Sequence, residues 1–249
     1  MSSRKQTEIA TREKQILAIT QRILEDQGAA GLTMEKVAAQ VDFSKGTLYN
    51  HFACKEDLIL AFITSTIEKY YSVLKKAAVF RGRPRERFVA MSVASKFAKA
   101  QDGKHPPKFI VTPDSYQKAS PKWREAFLRG YKEIVGLFQG VVRDAIAAGD
   151  LPANTDPDIV SFAAWSLGSG SGELHRCGLI FRDLNEEEFG QRHFTMLAHL
   201  LDGFGWRPLS SEHDYNATAE KAYREIFPKE FKKSGRRSST RDSKSKTES

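Results

Sequence analysis

Thr33 to Lys55, TMEKVAAQVDFSKGTLYNHFACK, constrains the fold of this chain more than any other stretch. Thr33 precedes Met34 and Ser44 precedes Lys45, and each hydroxyl is suited to accept a hydrogen bond from an otherwise unpaired amide in the first turn of a helix. Apolar pairs flank both caps, Leu32 with Val37 and Phe43 with Leu48, and such staples set the angle at which the chain enters a helix. The spacing therefore predicts two short helices joined by a tight turn, a helix-turn-helix over residues 33–52. On the second helix Leu48 and Phe52 lie four apart and share an inward face, leaving Lys45, Gly46, Thr47, Tyr49, Asn50 and His51 around the rest.

That outer set has the chemistry of a nucleic-acid reader. An Asn pairs in bidentate fashion with adenine, a Lys donates to guanine, and the methyl of a Thr meets that of thymine, which fits Asn50, Lys45 and Thr47. Gly46 lets backbone approach closely, while Thr33, Tyr49, His51 and Lys55 are donors suited to phosphates.

With REKQILAITQRILEDQG upstream, the segment SKGTLYNHFACKEDL resembles the DNA-binding head of the tetracycline-repressor (TetR-type) family of transcriptional regulators. The resemblance implies an all-α fold, with Lys45, Gly46, Thr47, Tyr49 and Asn50 approaching bases and Thr33, Ser44, Tyr49, His51 and Lys55 holding the DNA backbone. It further implies a homodimer on palindromic double-stranded DNA, usually a repressor, released by a small effector, and with no anionic or cationic cluster visible in the body that effector is expected to be mainly apolar. The alternative is a DNA-bound interaction protein with the same head, gated by a protein partner. Two positions depart from the family pattern. Asp42 occupies a turn position that is usually Gly, and Cys54 stands where Ser or Asn often caps the next helix.

Net charge does not carry this reading. The formal +8 is concentrated at the C-terminal end, because residues 1–57 hold eight Lys/Arg against eight Asp/Glu and 229–249 hold eight against three. Two cysteines build no disulfide framework, and neither a leader-like apolar segment nor a membrane-spanning run is present, so the expectation is a soluble cytoplasmic protein.

In chain order, residues 1–10 read as a polar arm and 11–71 as the head, whose first helix spans about Thr11 to Gln27 and stops at Gly28. Residues 72–228 read as a helical effector-binding and dimerisation domain, and 229–249 as a disordered basic tail. Within the body, RGRPRER (81–87) reads as a solvated linker. Ala164, Gly168 and Gly172 recur every four residues on one helix face, which points to close approach of another helix. With Leu197 and Leu201 they form the expected dimer interface, since the family's two long helices here make a four-helix bundle with a second subunit. The body aromatics Phe97, Phe109, Tyr116, Trp123, Phe127, Tyr131 and Trp165 are the expected pocket lining.

An enzyme reading finds no support. His175 and Cys177 point different ways on one helix, and His193 and His199 do not share a face, so neither a catalytic constellation nor a metal site is expected, and no cofactor. Cys54 beside Lys55 at a helix start has the placement that lowers a thiol pKa; the plainer alternative is a small residue standing in for Ser.

Overall fold

The computed structural model describes residues 3–98, 111–177 and 184–231, and among these the chain is helical without a strand. The helices are α1 (Ser3–Gly31), α2 (Met34–Ala38), α3 (Lys45–His51), α4 (Lys55–Ala78), α5 (Pro84–Ala98), α6 (Pro113–Lys118), α7 (Pro121–Ala147), α8 (Pro157–Cys177), α9 (Glu186–Gly203) and α10 (Tyr215–Ile226). The described residues fall into two compact units, one within Met1–Tyr71 and Lys99–Glu133, the other within Ser72–Ala98 and Ile134–Ser249. Residues 113–133, expected in the body, thus group with the head. Among the described residues no helix is long and apolar enough to cross a membrane. Phe109 and residues 232–249 of the expected tail lie outside the described residues.

In the first unit, α1 presents Ile16, Ile19, Ile23 and Leu24 to Leu32, Met34 and Val37 of the α2 region, Leu48 and Phe52 of the α3 region, and Leu58, Ile59 and Phe62 of α4. Burying each such side chain contributes about 1.5–3 kcal/mol, so this cluster holds the short helices that could not stand alone. Gly28 breaks α1 with φ 68° and ψ −175°, a conformation that only glycine adopts readily. From Ser3 onward the expected polar arm is helical and continuous with α1.

In the second unit, α5 packs on α10 through Val89, Ala90, Val93, Tyr215, Ala219 and Ala222, with Phe80 of the preceding segment in the same cluster. Phe88 lies edge-on to both Phe138 and Trp206, with ring centroids 5.2 and 5.1 Å away. The expected linker at 81–87 is largely helix, since Pro84 opens α5. Nor are its arginines all solvated. Arg83 pairs with Asp150, Arg87 with Asp144 at 2.9 Å, and Arg85 is fully buried. The Arg85 guanidinium donates to the carbonyls of Ala198, Trp206 and Pro208, pairs with Asp202 at 2.8 Å and lies 4.2 Å from the centre of the Tyr215 ring. One side chain therefore joins α5, the end of α9, the 206–208 turn and α10.

Candidate nucleic-acid interface

Both expected caps form. Thr33 Oγ1 accepts from the Lys36 amide at 3.2 Å, and Ser44 Oγ accepts from the Thr47 amide at 3.2 Å and lies 2.9 Å from the Thr47 hydroxyl. With Leu48 and Phe52 buried, α3 turns Lys45, Gly46, Tyr49 and Asn50 outward as exposed residues, with Thr47 half-buried beside them. A Cβ at Gly46 would meet only Ser44 Oγ at 3.8 Å. The fold therefore has no need of glycine there, whereas a surface that must come close does. Asp42 in the turn is tied to α1, its carboxylate accepting from Gln15 Nε2 at 3.1 Å.

Glu35 of α2 sits over this surface, 3.6 Å from Lys45 Nζ and accepting from the Tyr49 hydroxyl at 3.5 Å. Its carboxyl is held below the usual value, first by a hydrogen bond from its own backbone amide and then by Lys45. Glu35 is absent from the expected set, and its contacts with Lys45 and Tyr49 join two separate helices.

His51 corrects an expectation. Its side chain is 9% exposed and turned toward Glu13 of α1, Nδ1 lying 3.6 Å from the carboxylate, so it is not displayed with Lys45 and Asn50. Thr33 and Lys55 are half-buried at the margin of the outward surface.

Cys54 fits the plainer of its two sequence readings, a small residue standing in for Ser. Burial, then the neighbouring Asp57 and Glu56 charges, push its thiol up, against hydrogen bonds that pull it down. The Sγ lies 3.7 Å from the Lys118 carbonyl. Iodoacetamide at neutral pH is expected to modify exposed Cys177 well before half-buried Cys54, as followed by peptide mass spectrometry; faster labelling of Cys54 would contradict a thiol whose pKa is raised.

The described residues of the expected pocket set are divided between the two units. Tyr116, Trp123, Phe127 and Tyr131 belong to the first unit, where Phe127 contacts Tyr116 and Tyr131, and Trp123 stacks on Phe52 instead of facing a cavity. Phe97 and Trp165 belong to the second, with Phe97 stacked on Tyr223 at 4.1 Å. A cleft of about 500 Å³ in the second unit is lined by none of them but by Thr195, Ala198, His199, Ser210, His213 and Asp214 among others.

The expected dimer-interface residues separate as well. Leu197 and Leu201 are 2% and 0% exposed because this chain itself covers them, so they are not available to a second subunit as they stand. Ala164, Gly168 and Gly172 on α8 are half-buried. A Cβ at Gly168 would lie an ordinary 3.8 Å from the His193 ring and one at Gly170 would meet nothing within 4 Å, so no close approach among the described residues demands these two glycines. Exposed apolar side chains on the same two helices were missed by periodicity alone: Ile159, Phe162, Leu174 and Met196, with Phe162 75% exposed.

Residues 16–62 match the family described as bacterial regulatory proteins, tetR family. Uncharacterized HTH-type transcriptional regulators of Mycobacterium tuberculosis and Mycobacterium bovis are each 42% identical over 50 residues, which is 20% of this chain and a quarter of the relative's length. Among solved structures, a TetR-family regulator from Cytophaga hutchinsonii superposes with a TM-score of 0.59 at 18% identity, over 79% of this chain and 96% of its own. FadR from Bacillus subtilis in complex with stearoyl-CoA gives 0.56 at 17% identity, over 76% and 98%. A ketosteroid transcriptional regulator of M. tuberculosis gives 0.53 at 18%, over 77% and 94%. At these identities the superpositions speak for the fold.

Proposed function

We propose, on the premise that this chain belongs through its N-terminal domain to the TetR family of bacterial regulatory proteins, that it is a dimeric repressor reading a palindromic operator. The observation that carries this reading is the division of α3, with Leu48 and Phe52 buried while Lys45, Gly46, Tyr49 and Asn50 stand exposed on its outer side. In this role Asn50 and Lys45 contact base edges with Thr47, Gly46 admits the backbone to the groove, and Tyr49, Ser44, Thr33 and Lys55 engage phosphates. His51 is left out, because Glu13 holds it inward.

Dimerisation through α8 and α9 is supported by the exposed Ile159, Phe162, Leu174 and Met196, which a second copy would cover. The small residues Ala164, Gly168 and Gly172 on α8 suit close packing there. An apolar effector is supported by the stearoyl-CoA bound to the B. subtilis neighbour and by the ketosteroid regulator of M. tuberculosis. Such a molecule releases DNA only by binding one conformation more tightly than the other.

The test starts with DNA fragments selected from a genomic pool by the full-length protein at physiological salt. Asn50→Ala is expected to lose about 1–3 kcal/mol on the selected fragment and little on random DNA. Equal losses on both would remove Asn50 from base reading. Affinity that long-chain acyl-CoA and steroid ligands leave unaltered would favour the protein-gated alternative.

A further inference from the structure

We propose that the start of α7 is a working part of the reading head, and that Trp123 and Asp57 are positioning residues that hold the recognition helix α3 in its reading orientation. The inference rests on α3 being the reading helix. At seven residues, α3 spans about two turns, too few to persist without tertiary support. The α1 stripe supports its inner side through Leu48. Its C-terminal end is held from elsewhere, by three contacts of different chemistry that converge on residues 120–123.

The first is aromatic. Phe52, the C-cap residue of α3, is fully buried and stacks on Trp123 with ring centroids 5.2 Å apart and planes 17° from parallel. The second is a clasp. Buried Asp57 accepts from the Ala53 amide at 3.0 Å with one oxygen and from the Ser120 amide at 2.7 Å with the other, so a single carboxylate ties the turn after α3 to the residue before α7. The third is ionic. Glu13 lies 3.6 Å from His51, the last residue of α3, and 3.3 Å from Lys122. A helix-turn-helix whose only need was a closed core would be complete within residues 16–62. Here the end of the helix is braced by residues some 60 positions further along, and the compactness of the chain groups residues 113–133 with the head for the same reason.

The experiment uses the full-length chain and compares Trp123→Ala with Trp123→Phe, which keeps a ring against Phe52. On the fragment selected by wild type, Trp123→Ala is expected to bind about tenfold more weakly, the scale of a lost aromatic stack, while Trp123→Phe stays close to wild type. Random DNA is expected to change by less than about threefold in either variant, because Trp123→Ala loosens α3 without unfolding it and phosphate contacts tolerate a small loss of register that base contacts do not. Amide exchange of residues 45–51 is expected to accelerate in Trp123→Ala alone, while residues 88–94 of α5 exchange as in wild type. If Trp123→Ala does not fold, Trp123→Leu takes its place, keeping apolar bulk without the stack. Indistinguishable DNA binding and exchange in the Ala or Leu variant and the Phe variant would overturn the brace. Should the wild-type protein select no DNA at all, the proposed function falls by itself, and exchange at 45–51 still decides whether Trp123 positions α3.

Discussion

Arg85→Ala is expected to destabilise the second unit by about 3–5 kcal/mol, a large share of the roughly 5–15 kcal/mol that a domain possesses. The size follows from what the guanidinium leaves behind. Three carbonyls, of Ala198, Trp206 and Pro208, and the Asp202 carboxylate lose a common donor, and the Tyr215 ring loses its cation. Buried acceptors that lose a charged donor cost more than the net worth of the bonds they made. Urea unfolding followed by helical circular dichroism checks this, and a loss below about 1 kcal/mol would show that Arg85 is dispensable. Arg85→Met separates packing from polarity, because it restores much of the buried volume while removing the donor these acceptors share; most of the loss is expected to remain.

The same site has an acid-side signature. Burial pushes the Asp202 carboxyl up, but hydrogen bonds from the Ser210 hydroxyl and amide, followed by Arg85, outweigh it and hold the group below its ordinary 3.8. A depressed carboxylate contributes stability that is present above the unfolded pKa and disappears as pH falls through the folded one. Wild type is therefore expected to lose this contribution below about pH 3.8, and Arg85→Ala to show a smaller loss over that window because part of the depression is already gone.

Features that depend on neighbours within a few residues were legible in the sequence. Thr33 and Ser44 cap the helices they were expected to cap, and Gly28, the expected stop of the first helix, takes positive φ at a break within α1. The outward set on α3 follows from a period of 3.6 and the burial of Leu48. Long-range choices were not legible. Arg85 sits in a run of arginines that reads as solvated, and only carbonyls more than a hundred positions away make it a buried anchor. His51 has the donors of a phosphate clamp, but Glu13 decides where the ring points. Leu197 and Leu201 have the right period for an interface, yet period cannot say whether the covering surface belongs to the same chain or another. Trp123 reads as pocket lining for a similar reason, since its partner Phe52 belongs to a distant element.

Phe52→Ala is expected to cost about 3–5 kcal/mol and to disorganise α3, because it removes the largest buried ring at the end of the recognition helix. Phe52 belongs to one cluster with Ile16, Leu32, Val37, Leu48 and Leu58, so the vacated volume is bounded by residues from four helices and cannot be closed by moving any one of them. Its ring is also the surface on which Trp123 lies. The backbone hydrogen bond from the Phe52 amide to the Leu48 carbonyl, 3.0 Å long, survives the substitution chemically but loses the packing that holds it. The expected measurements are faster amide exchange through residues 45–51 and weakened binding to selected and random DNA alike, since a disorganised α3 presents neither base-reading nor phosphate-contacting groups in register. Asn50→Ala, by contrast, is expected to leave exchange unchanged and to lose selectivity alone. Native exchange in Phe52→Ala, with less than about 1 kcal/mol lost, would mean that the head holds α3 without this ring.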